Sequence, residues 1–536
     1  MASSSDQGPS RTSVSSFTHM GVAPESELVI VKLKPLGYTD TASDENIING
    51  VDYVFRKAAA LGKPAAVLIN ANRNIEDTGV GPNDGSGSLD TALSALAGPG
   101  KIIVVPAGDN RFSGQHAEWT STQGLQTSDI TVQIPANAQV DAQGSRFVSE
   151  AWYNADANYD VSVITPQGET VGPISRGTCT GGPPSCFGVQ TNSGYVQIKN
   201  GQERSVNGSY KMYLYISKAS QIGPNLSIGT WTFRLTSKAS GIHRVDMWIS
   251  RQTVLPTFVQ GMTESRLVGS PATADKVIAV GAYSTKESWT SGDNLRTYGY
   301  SLAILNDIAN FSVPGPRRDG VQVPHITAPG YGVSAARSGS SYPGGQYLMN
   351  GLIHFIRYGT NVSAAQVAGA AALFLQQEPT LDRDGLLTLL KRRAVSDSYT
   401  GAVPNDRWGN GKLRLVAAGS DTTPPSLPGG LTAYAQTCTE VNISWSGSTD
   451  EGGGSGLKGY NLYRNGLLVK FIPAPNTSAS DGMLVSLSNY SYQVSSVDNA
   501  NNESARSSSA SVATPACPDQ TPPDVGITFP KQGDTI

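Results

Sequence analysis

Apolar residues recur along this chain in patterns that predict different elements in different regions. Between residues 45 and 61 they stand at 47, 48, 51, 54, 55, 58 and 61, which is the spacing of a helix with one buried face. Aliphatic runs occur in three segments: at the end of 21–33, in 65–70 and in 101–111. Each run predicts a buried strand. A strand, a helix and a second strand in this order predict a crossover unit of a parallel sheet.

A different pattern begins near residue 128 and continues to residue 262. Short runs of alternating apolar and polar residues, such as ITVQIPA, YDVSVITP and WTFRLTS, are separated by Gly, Asn and Pro turns. This pattern is typical of a β-sandwich or jelly roll. Because strand and helix patterns of the first kind resume after residue 262, we expect the sandwich to be an insertion.

The longest apolar helix pattern lies at 358–376, with the sequence YGTNVSAAQVAGAAALFLQ. Its small and aliphatic residues occur on nearly all sides, which predicts a buried helix that neighbouring elements approach closely. The start, Gly359-Thr360-Asn361, puts a short polar residue where N-caps occur. We therefore expect the side chain of Asn361 to lie beside the open amides and the positive dipole end of the helix.

This segment resembles the nucleophile helix of the subtilisin-like serine peptidases (subtilases), whose pattern is G-T-S-M-A-A-P-H-V-A-G-A-A-A-L. Asn361 stands where the resemblance places the nucleophilic serine, and an amide nitrogen is a poor nucleophile. Ser363 follows two residues later, but two helical steps of about 100° each turn it away from that position. The resemblance thus implies a substituted nucleophile.

Two further segments that resemble the family's active-site motifs also differ from them. The strand 65–70 leads into Asn70, Asn72 and Asn74, where the family has N-L-S-L-G and its backbone pairs with substrate. A side chain at Asn74 would crowd a position that glycine keeps open. The run 101–111 resembles V-V-x-A-A-G-N, but Asp109 replaces the asparagine that stabilises the oxyanion, and a carboxylate would repel it. A one-residue slip that restores Asn110 to this role is an alternative.

Other scaffold motifs of the family are similar in number, order and spacing. They lie at 81–93, 270–283, 308–320, 323–333 and 408–418. The segment 21–33 resembles the strand that follows the family's H-G-T-H motif, yet neither that motif nor D-T/S-G stands ahead of it. We therefore expect the triad aspartate and histidine to be absent, as in a chain that starts downstream of them. His19 is interpreted as a loop residue, and His325, at the place of a family aspartate, as a surface residue.

The resemblance implies an α/β fold with a subtilisin-like parallel sheet flanked by helices. The Csp-like group of subtilases has a jelly roll at the same place. After a linker rich in proline, the region from residue 429 resembles a fibronectin type III module, with Asn465-Gly466 as a hairpin turn between two strands. The residues that carry this resemblance are Trp445, Tyr460, Tyr463, Tyr490 and Tyr492. The predicted segments are a disordered start at 1–20, the peptidase part at 21–127 and 263–418, the insertion at 128–262, a linker at 419–428, the module at 429–516, and a linker with the start of another Ig-like module at 517–536.

Charge and cysteine content add to this interpretation. A net charge of −3 argues against nucleic-acid binding, and no apolar run approaches the roughly 20 residues of a membrane helix. The four cysteines form two pairs along the sequence, Cys179 with Cys186 and Cys438 with Cys517. Two disulfides would suit secretion, although four free thiols remain an alternative. The first residues contain no apolar signal-peptide core.

Two classes of function follow from these observations. Family resemblance favours a secreted serine endopeptidase acting on polypeptides, but the substitutions at Asn361 and Asp109 predict that this chain is inactive. The alternative is a non-catalytic adaptor that binds a polypeptide or a glycan through the cleft and the β-modules. No cofactor or metal is expected, and the fibronectin type III module is a possible site of glycan or cell-surface contact.

Overall fold

The computed structural model describes residues 21–33, 41–70, 72–73, 81–111, 114–138, 140, 145–218, 225–250, 255–290, 297–299, 303–337, 347–349, 354–415, 421–450, 455–498, 500 and 502–518. The predictions for 1–20, including His19, lie outside these residues. The chain divides into two compact units, with the boundary between Arg414 and Leu415.

The first stretch of the larger unit contains the predicted helix at 45–61 and the predicted strand at 65–70, but not the strand at 21–33 with which the predicted crossover begins. Its elements are β1 (Thr41–Ala42), α1 (Asp44–Ala60), β2 (Ala65–Leu68), β3 (Asn72–Arg73), α2 (Ser88–Leu96) and β4 (Lys101–Pro106). Helix α1 confirms the spacing argument, because it begins at a Ser43 cap and buries Ile47, Val51 and Phe55. Strands β2 and β4 pair in parallel.

The sandwich occupies the middle of the larger unit. Its strands are β5 (His116–Ser121), β6 (Thr127–Ile134), β7 (Arg146–Tyr153), β8 (Tyr159–Ile164), β9 (Thr170–Ile174), β10 (Thr178–Cys179), β11 (Val189–Thr191), β12 (Gly194–Arg204), β13 (Tyr210–Ser217), β14 (Gly229–Ser237), β15 (His243–Ser250) and β16 (Thr257–Phe258). One sheet has the order β10-β12-β13-β7-β15-β5, with β11 on β12, and the other has β16-β6-β14-β8-β9. Since β5 pairs with β15, the sandwich begins before the predicted start at residue 128.

The α/β part resumes with β17 (Val277–Ser284), β18 (Ser288–Thr290), β19 (Thr297–Gly299), β20 (Ile326–Ala336), β21 (His354–Tyr358), α3 (Thr360–Gln377) and α4 (Arg383–Arg393). The main sheet has the order β2-β4-β17-β20-β21, in which only β21 runs antiparallel to its neighbour. Helix α3 packs on one face of this sheet through Ala364, Val367, Ala370 and Ala371, as its apolar pattern predicts.

The smaller unit is a sandwich of seven strands. They are β22 (Gly429–Thr437), β23 (Glu440–Ser446), β24 (Leu457–Arg464), β25 (Leu467–Pro473), β26 (Ser478–Asp481), β27 (Asn489–Asp498) and β28 (Ala510–Ala513). Sheets of three and four strands enclose Trp445, Tyr460 and Tyr492. Asn465 and Gly466 have φ angles of 50° and 82° between β24 and β25, which is the hairpin turn that their sequence predicts. Both predicted disulfides, Cys179–Cys186 and Cys438–Cys517, are present.

One strand prediction is wrong. Residues 21–33 form neither a strand nor a buried segment, and the side chains of Leu28 and Ile30 are 60% and 86% exposed. An aliphatic run is buried only when other strands or helices cover it. In the described part of the chain β2 pairs with β4 alone, so the segment 21–33 is not joined to this sheet. The segment instead packs by its start, where Val22 lies against Gly369 of α3.

Candidate functional site

The site lies at one edge of the main sheet, where its parallel strands end. β4 leads into Gly108 and Asp109, and β21 leads through Gly359 into the N-terminus of α3. Ligands of parallel α/β sheets bind beyond the carboxyl ends of the strands, and a helix N-terminus adds free amides and a positive dipole. The fold therefore brings together two of the residues that the sequence singled out, Asp109 and Asn361.

Asp109 occupies the N-terminus of α3. Its Oδ1 accepts hydrogen bonds of 2.8 Å from both the backbone N–H and the hydroxyl of Thr360. The Thr360 hydroxyl oxygen in turn accepts from the Gly108 N–H at 3.1 Å. Asp109, and not the neighbouring Asn110, thus supplies the carboxylate that stabilises the first turn of this helix.

Asn361 does not cap the helix. The helix begins at Thr360, the N-cap residue is Gly359 with a φ of 130°, and the Asn361 Oδ1 accepts from the Val362 N–H at 3.0 Å. A Cβ on Gly359 would lie 2.2 Å from this Oδ1 and 2.9 Å from the Asp109 Oδ2. Glycine is therefore required at 359 both by its φ and by the two oxygens packed against it.

The side chains that follow Asn361 on α3 point into the sheet. The Ser363 hydroxyl is fully buried and donates to the Ala328 carbonyl at 3.0 Å. Gln366 Nε2 donates to the Pro329 carbonyl at 2.6 Å. Both side chains hold α3 against β20.

The three asparagines after β2 have different positions. Asn70 is exposed, and Asn72 belongs to β3, which pairs in parallel with β1 through Thr41↔Asn72 and Ala42↔Arg73. Asn74 lies outside the described residues. The backbone of Asn72 is thus already paired with another strand of this chain.

His325 is not a surface residue, contrary to the prediction. It is 5% exposed, its Nδ1 accepts from the Ala279 N–H at 2.9 Å, and its Nε2 lies 2.6 Å from Arg383. Burial, together with the charges of Arg383, Lys391 and Arg317, lowers its pKa to about 3. His325 precedes β20, and Gly330, which contacts Gly359, follows five residues later, roughly 16 Å along the strand. This neutral imidazole therefore lies well away from Asn361 along β20.

Three aromatic rings lie beside the N-terminus of α3. Phe311, Tyr331 and Tyr358 have ring centroids 5.2 to 6.0 Å apart, and the Tyr358 side chain is 50% exposed. The Arg111 N–H donates to the Phe311 carbonyl at 3.3 Å, which ties this cluster to the loop that carries Asp109. The site therefore has an apolar wall next to a carboxylate and an amide.

A buried ion pair that no sequence motif predicted joins the α/β part to the sandwich. Arg318, which is 5% exposed, pairs with Asp84 and donates to Ser209 Oγ at 2.6 Å and to Asn154 Oδ1 at 3.2 Å. Burial raises the pKa of Asp84, but the charge of Arg318 and bonds from Ser86 and Asn207 outweigh it and hold this pKa below its usual value. The Arg-Arg-Asp sequence at 317–319 and the Asn-Asp pair at 83–84 are the only local signals for it.

An Asp-Thr-Gly triplet at 77–79 matches the D-T/S-G motif in its three residues. It follows the strand 65–70 instead of preceding residue 21, so its order differs from the family's. It lies outside the described residues.

In the smaller unit, Asp421, Asp450 and Asp498 have carboxylate oxygens within 4.8 Å of one another, a donor set that a cation could use. Backbone N–H groups already bind all three of them, Ser455 to Asp421 at 2.6 Å, Gly456 to Asp450 at 2.6 Å and Asn502 to Asp498 at 2.7 Å. Burial raises the pKa of Asp421, but bonds from Ser455 and Thr423 outweigh it and keep this pKa low.

Replacing Asp109 by alanine should destabilise the larger unit by about 1–2 kcal/mol, because the first turn of α3 loses its carboxylate acceptor. Asp109→Asn keeps an acceptor oxygen without the charge, so we expect it to lose less than half as much. Urea unfolding of the two variants measures both values. Equal stability of wild type and Asp109→Ala would show that the Thr360 contacts do not hold the helix start.

Comparisons with known proteins agree with this architecture. Residues 260–419 match the family described as the Subtilase family, Peptidase_S8. Serine protease AprX of Bacillus subtilis is 30% identical over 168 residues, which are 31% of this chain and 33% of that protein. Exoglucanase B of Cellulomonas fimi is 46% identical over 94 residues, which are 18% of this chain and 8% of that protein. The matched regions thus span a third or less of these curated relatives.

Among solved structures, the CspB protease of Clostridium perfringens is similar to this chain with a TM-score of 0.55 and 19% sequence identity. The similarity covers 70% of this chain and 69% of that one, and at this identity it concerns the fold alone. None of the described helices has both the length and the hydropathy that crossing a bilayer requires. Residues 260–419 thus match the subtilase family, and the order of helices and strands in the larger unit agrees with the fold of a subtilisin-like protease.

Proposed function

We propose that this chain is a non-catalytic subtilase, which binds polypeptides in an extracellular setting and does not hydrolyse them. The observation that carries the proposal is that an amide and a carboxylate occupy two positions at which the family's chemistry takes place. Asn361 stands at the nucleophile position, and Asp109 has its carboxylate on the amide of Thr360. An amide cannot attack a carbonyl carbon at a useful rate, and a carboxylate repels the oxyanion that an attack would create.

The pairing of β1 with β3 supports the same proposal. In the family, the backbone at the position of β3 pairs with substrate, whereas here Asn72 pairs with Thr41. A polypeptide would have to displace β1 before it could use this edge. The two disulfides support an oxidising compartment, since such bonds persist mainly outside the cytosol.

We expect the purified chain to release no more fluorescence from fluorescein-labelled casein than a protein-free blank does. Asn361→Ser should also remain inactive, because the sequence has no H-G-T-H motif to supply the base that a serine needs. Ser363→Ala is the matched control, since the Ser363 hydroxyl is buried against Ala328.

Hydrolysis of casein by the wild-type chain that disappears in Ser363→Ala or in Asn361→Ala would overturn the proposal. A known active subtilase in the same assay establishes the detection limit. Binding of unlabelled casein without its cleavage, measured by light scattering, is the expected result for the polypeptide-binding half of the proposal.

A further inference from the structure

A pocket of about 280 Å³ opens at the end of the main sheet where β2 and β4 begin. It lies between the end of α1, the starts of these two strands and the segment that follows α3. Strand β4 extends for six residues, roughly 20 Å, from this pocket to the loop that carries Asp109. The pocket is therefore separate from the candidate site.

The walls of the pocket are apolar. One aromatic ring, two alanines and three prolines form them: Phe55, Ala58, Ala59, Pro64, Pro99 and Pro379. Phe55 is 3% exposed and belongs to the core on the α1 side of the sheet, so its ring has a fixed position. Sites for small molecules have this character, with a mostly apolar lining and a few polar groups.

Backbone hydrogen bonds join the segments that surround the pocket. The Ala65 N–H donates to the Gly100 carbonyl at 2.8 Å, and the Gly100 N–H donates to the Leu381 carbonyl at 3.0 Å. Gly100 has a φ of 69°, and a Cβ there would lie 2.7 Å from the Pro379 carbonyl oxygen. Glycine is therefore required at 100, and the fold itself fixes the walls.

Two lysines, Lys63 and Lys101, are the charged side chains of the lining. The Lys63 ammonium pairs with Glu27. The Lys101 Nζ lies 5.9 Å from the centroid of the Phe55 ring, and no acidic side chain in the described ranges pairs with it. Glu378 is exposed and is not part of the lining. The pocket thus presents an ammonium group beside an apolar surface.

All the lining residues lie within the described ranges. Two of the segments outside these ranges adjoin the opposite ends of the same elements. Residues 34–40 precede α1, which begins at Asp44, roughly 17 Å from Phe55 along the helix. Residues 74–80 follow β3, beyond the end of β2 that is farther from Pro64. Residues 1–20 are present in the full chain, so a binding experiment on the full chain includes any effect that they have.

We propose that this pocket binds a small aromatic carboxylic acid, with its ring against the apolar walls and its carboxylate on the Lys101 ammonium. A cationic ligand would be repelled by Lys63 and Lys101. The hydroxyl groups of a neutral sugar would find no hydrogen-bonding side chain among the wall residues, and they would lose their bonds to water. The inference goes beyond the proposed function and does not depend on it, because no lining residue belongs to the candidate site.

The test uses 2-naphthoate and the full chain. Isothermal titration calorimetry should show one saturable site with a Kd below about 1 mM. Hydrogen exchange with peptide mass analysis should become slower in 55–65 and 98–101 when 2-naphthoate is bound, because a ligand opposes local opening. 2-Naphthamide has the same rings without the charge and should bind about threefold more weakly, as expected for an ion pair in contact with water.

Ala59→Trp places a large side chain in the pocket and should weaken the binding of 2-naphthoate at least about tenfold. Ala60→Trp is the matched control, because Ala60 is the next exposed residue of α1 and is not part of the lining. Lys101→Met should weaken the binding of 2-naphthoate about threefold and leave that of 2-naphthamide unchanged. Lys57→Met removes an exposed charge from the last turn of α1 and should change neither affinity.

Each of four results overturns the proposal. The first two are no saturable binding of 2-naphthoate by the full chain and equal effects of the two tryptophan variants. The third is equal affinity for 2-naphthoate and 2-naphthamide, which would show that the carboxylate is not recognised. The fourth is slower exchange only in segments other than 55–65 and 98–101, which would place the ligand elsewhere.

Discussion

Arg318→Met is expected to lower the free energy of unfolding of the larger unit by about 3–5 kcal/mol. The change removes one partner of a buried pair and leaves the Asp84 carboxylate, with no exposed side-chain surface, without its counter-charge. It also removes the guanidinium bonds to Ser209 and Asn154, through which the α/β part holds the sandwich. Urea unfolding monitored by circular dichroism measures the loss.

Arg234→Met is the matched control for this result. Arg234 forms a pair with Asp129 at 2.8 Å inside the sandwich, but its side chain is 47% exposed. Exposed pairs contribute little to stability, because water already solvates both charges. Equal losses in the two arginine variants would contradict the assignment of Arg318 as the joint between the sandwich and the sheet.

The Arg318–Asp84 pair also predicts a direction for pH dependence. The folded-state pKa of Asp84 lies below its ordinary value of 3.8. Its contribution to stability is therefore complete above the unfolded-state pKa and is lost as the pH falls from there through the folded-state pKa. We expect Arg318→Met to flatten the acid limb of the stability curve, which unfolding at stepped pH measures.

Removing the Cys438–Cys517 disulfide by Cys438→Ser and Cys517→Ser is expected to destabilise the smaller unit by about 4.5 kcal/mol, if loop entropy dominates. The bond spans 79 residues, so reduction frees nearly the whole module in the unfolded state. Hydrogen exchange with peptide mass analysis follows this unit separately from the larger one.

The Cys179–Cys186 disulfide is an internal comparison, because it spans only 7 residues. The same chain-entropy relation gives about 2.4 kcal/mol for its removal. The expected ratio between the two bonds is close to two. A larger effect from the short bond would show that local packing, and not loop closure, determines what these disulfides contribute.

The sequence predicts those elements whose pattern is complete within the segment. Helix α1 follows from apolar positions at helical spacing and a serine cap, and β4 follows from its aliphatic run, although β17 and α3, which cover β4, lie far along the chain. The run 28–31 has the same composition but is exposed, since a strand pattern states only that the segment can be buried. Whether a partner strand covers it depends on contacts that the pattern does not encode.

The candidate site shows the same limit. The sequence and its resemblance to the family are enough to predict an amide at the nucleophile position, 361, and a carboxylate at the oxyanion position, 109. They do not predict that the Asp109 carboxylate binds Thr360, because this contact joins residues 251 apart in the sequence. The prediction that His325 is a surface residue was wrong for a related reason. Its contacts with Arg383 of α4 and the amide of Ala279 join residues that are distant in the sequence, so neighbouring residues do not reveal its burial.

The intact mass of the purified chain after incubation with a fluorophosphonate probe tests most directly whether it has a competent nucleophile. Asn361 carries no hydroxyl and Ser363 is fully buried, so the mass should stay that of the unmodified protein at any probe concentration that labels an active subtilase to completion. A stoichiometric phosphonyl adduct mapped to any side chain of the chain, and lost when that residue is replaced, would contradict the non-catalytic assignment.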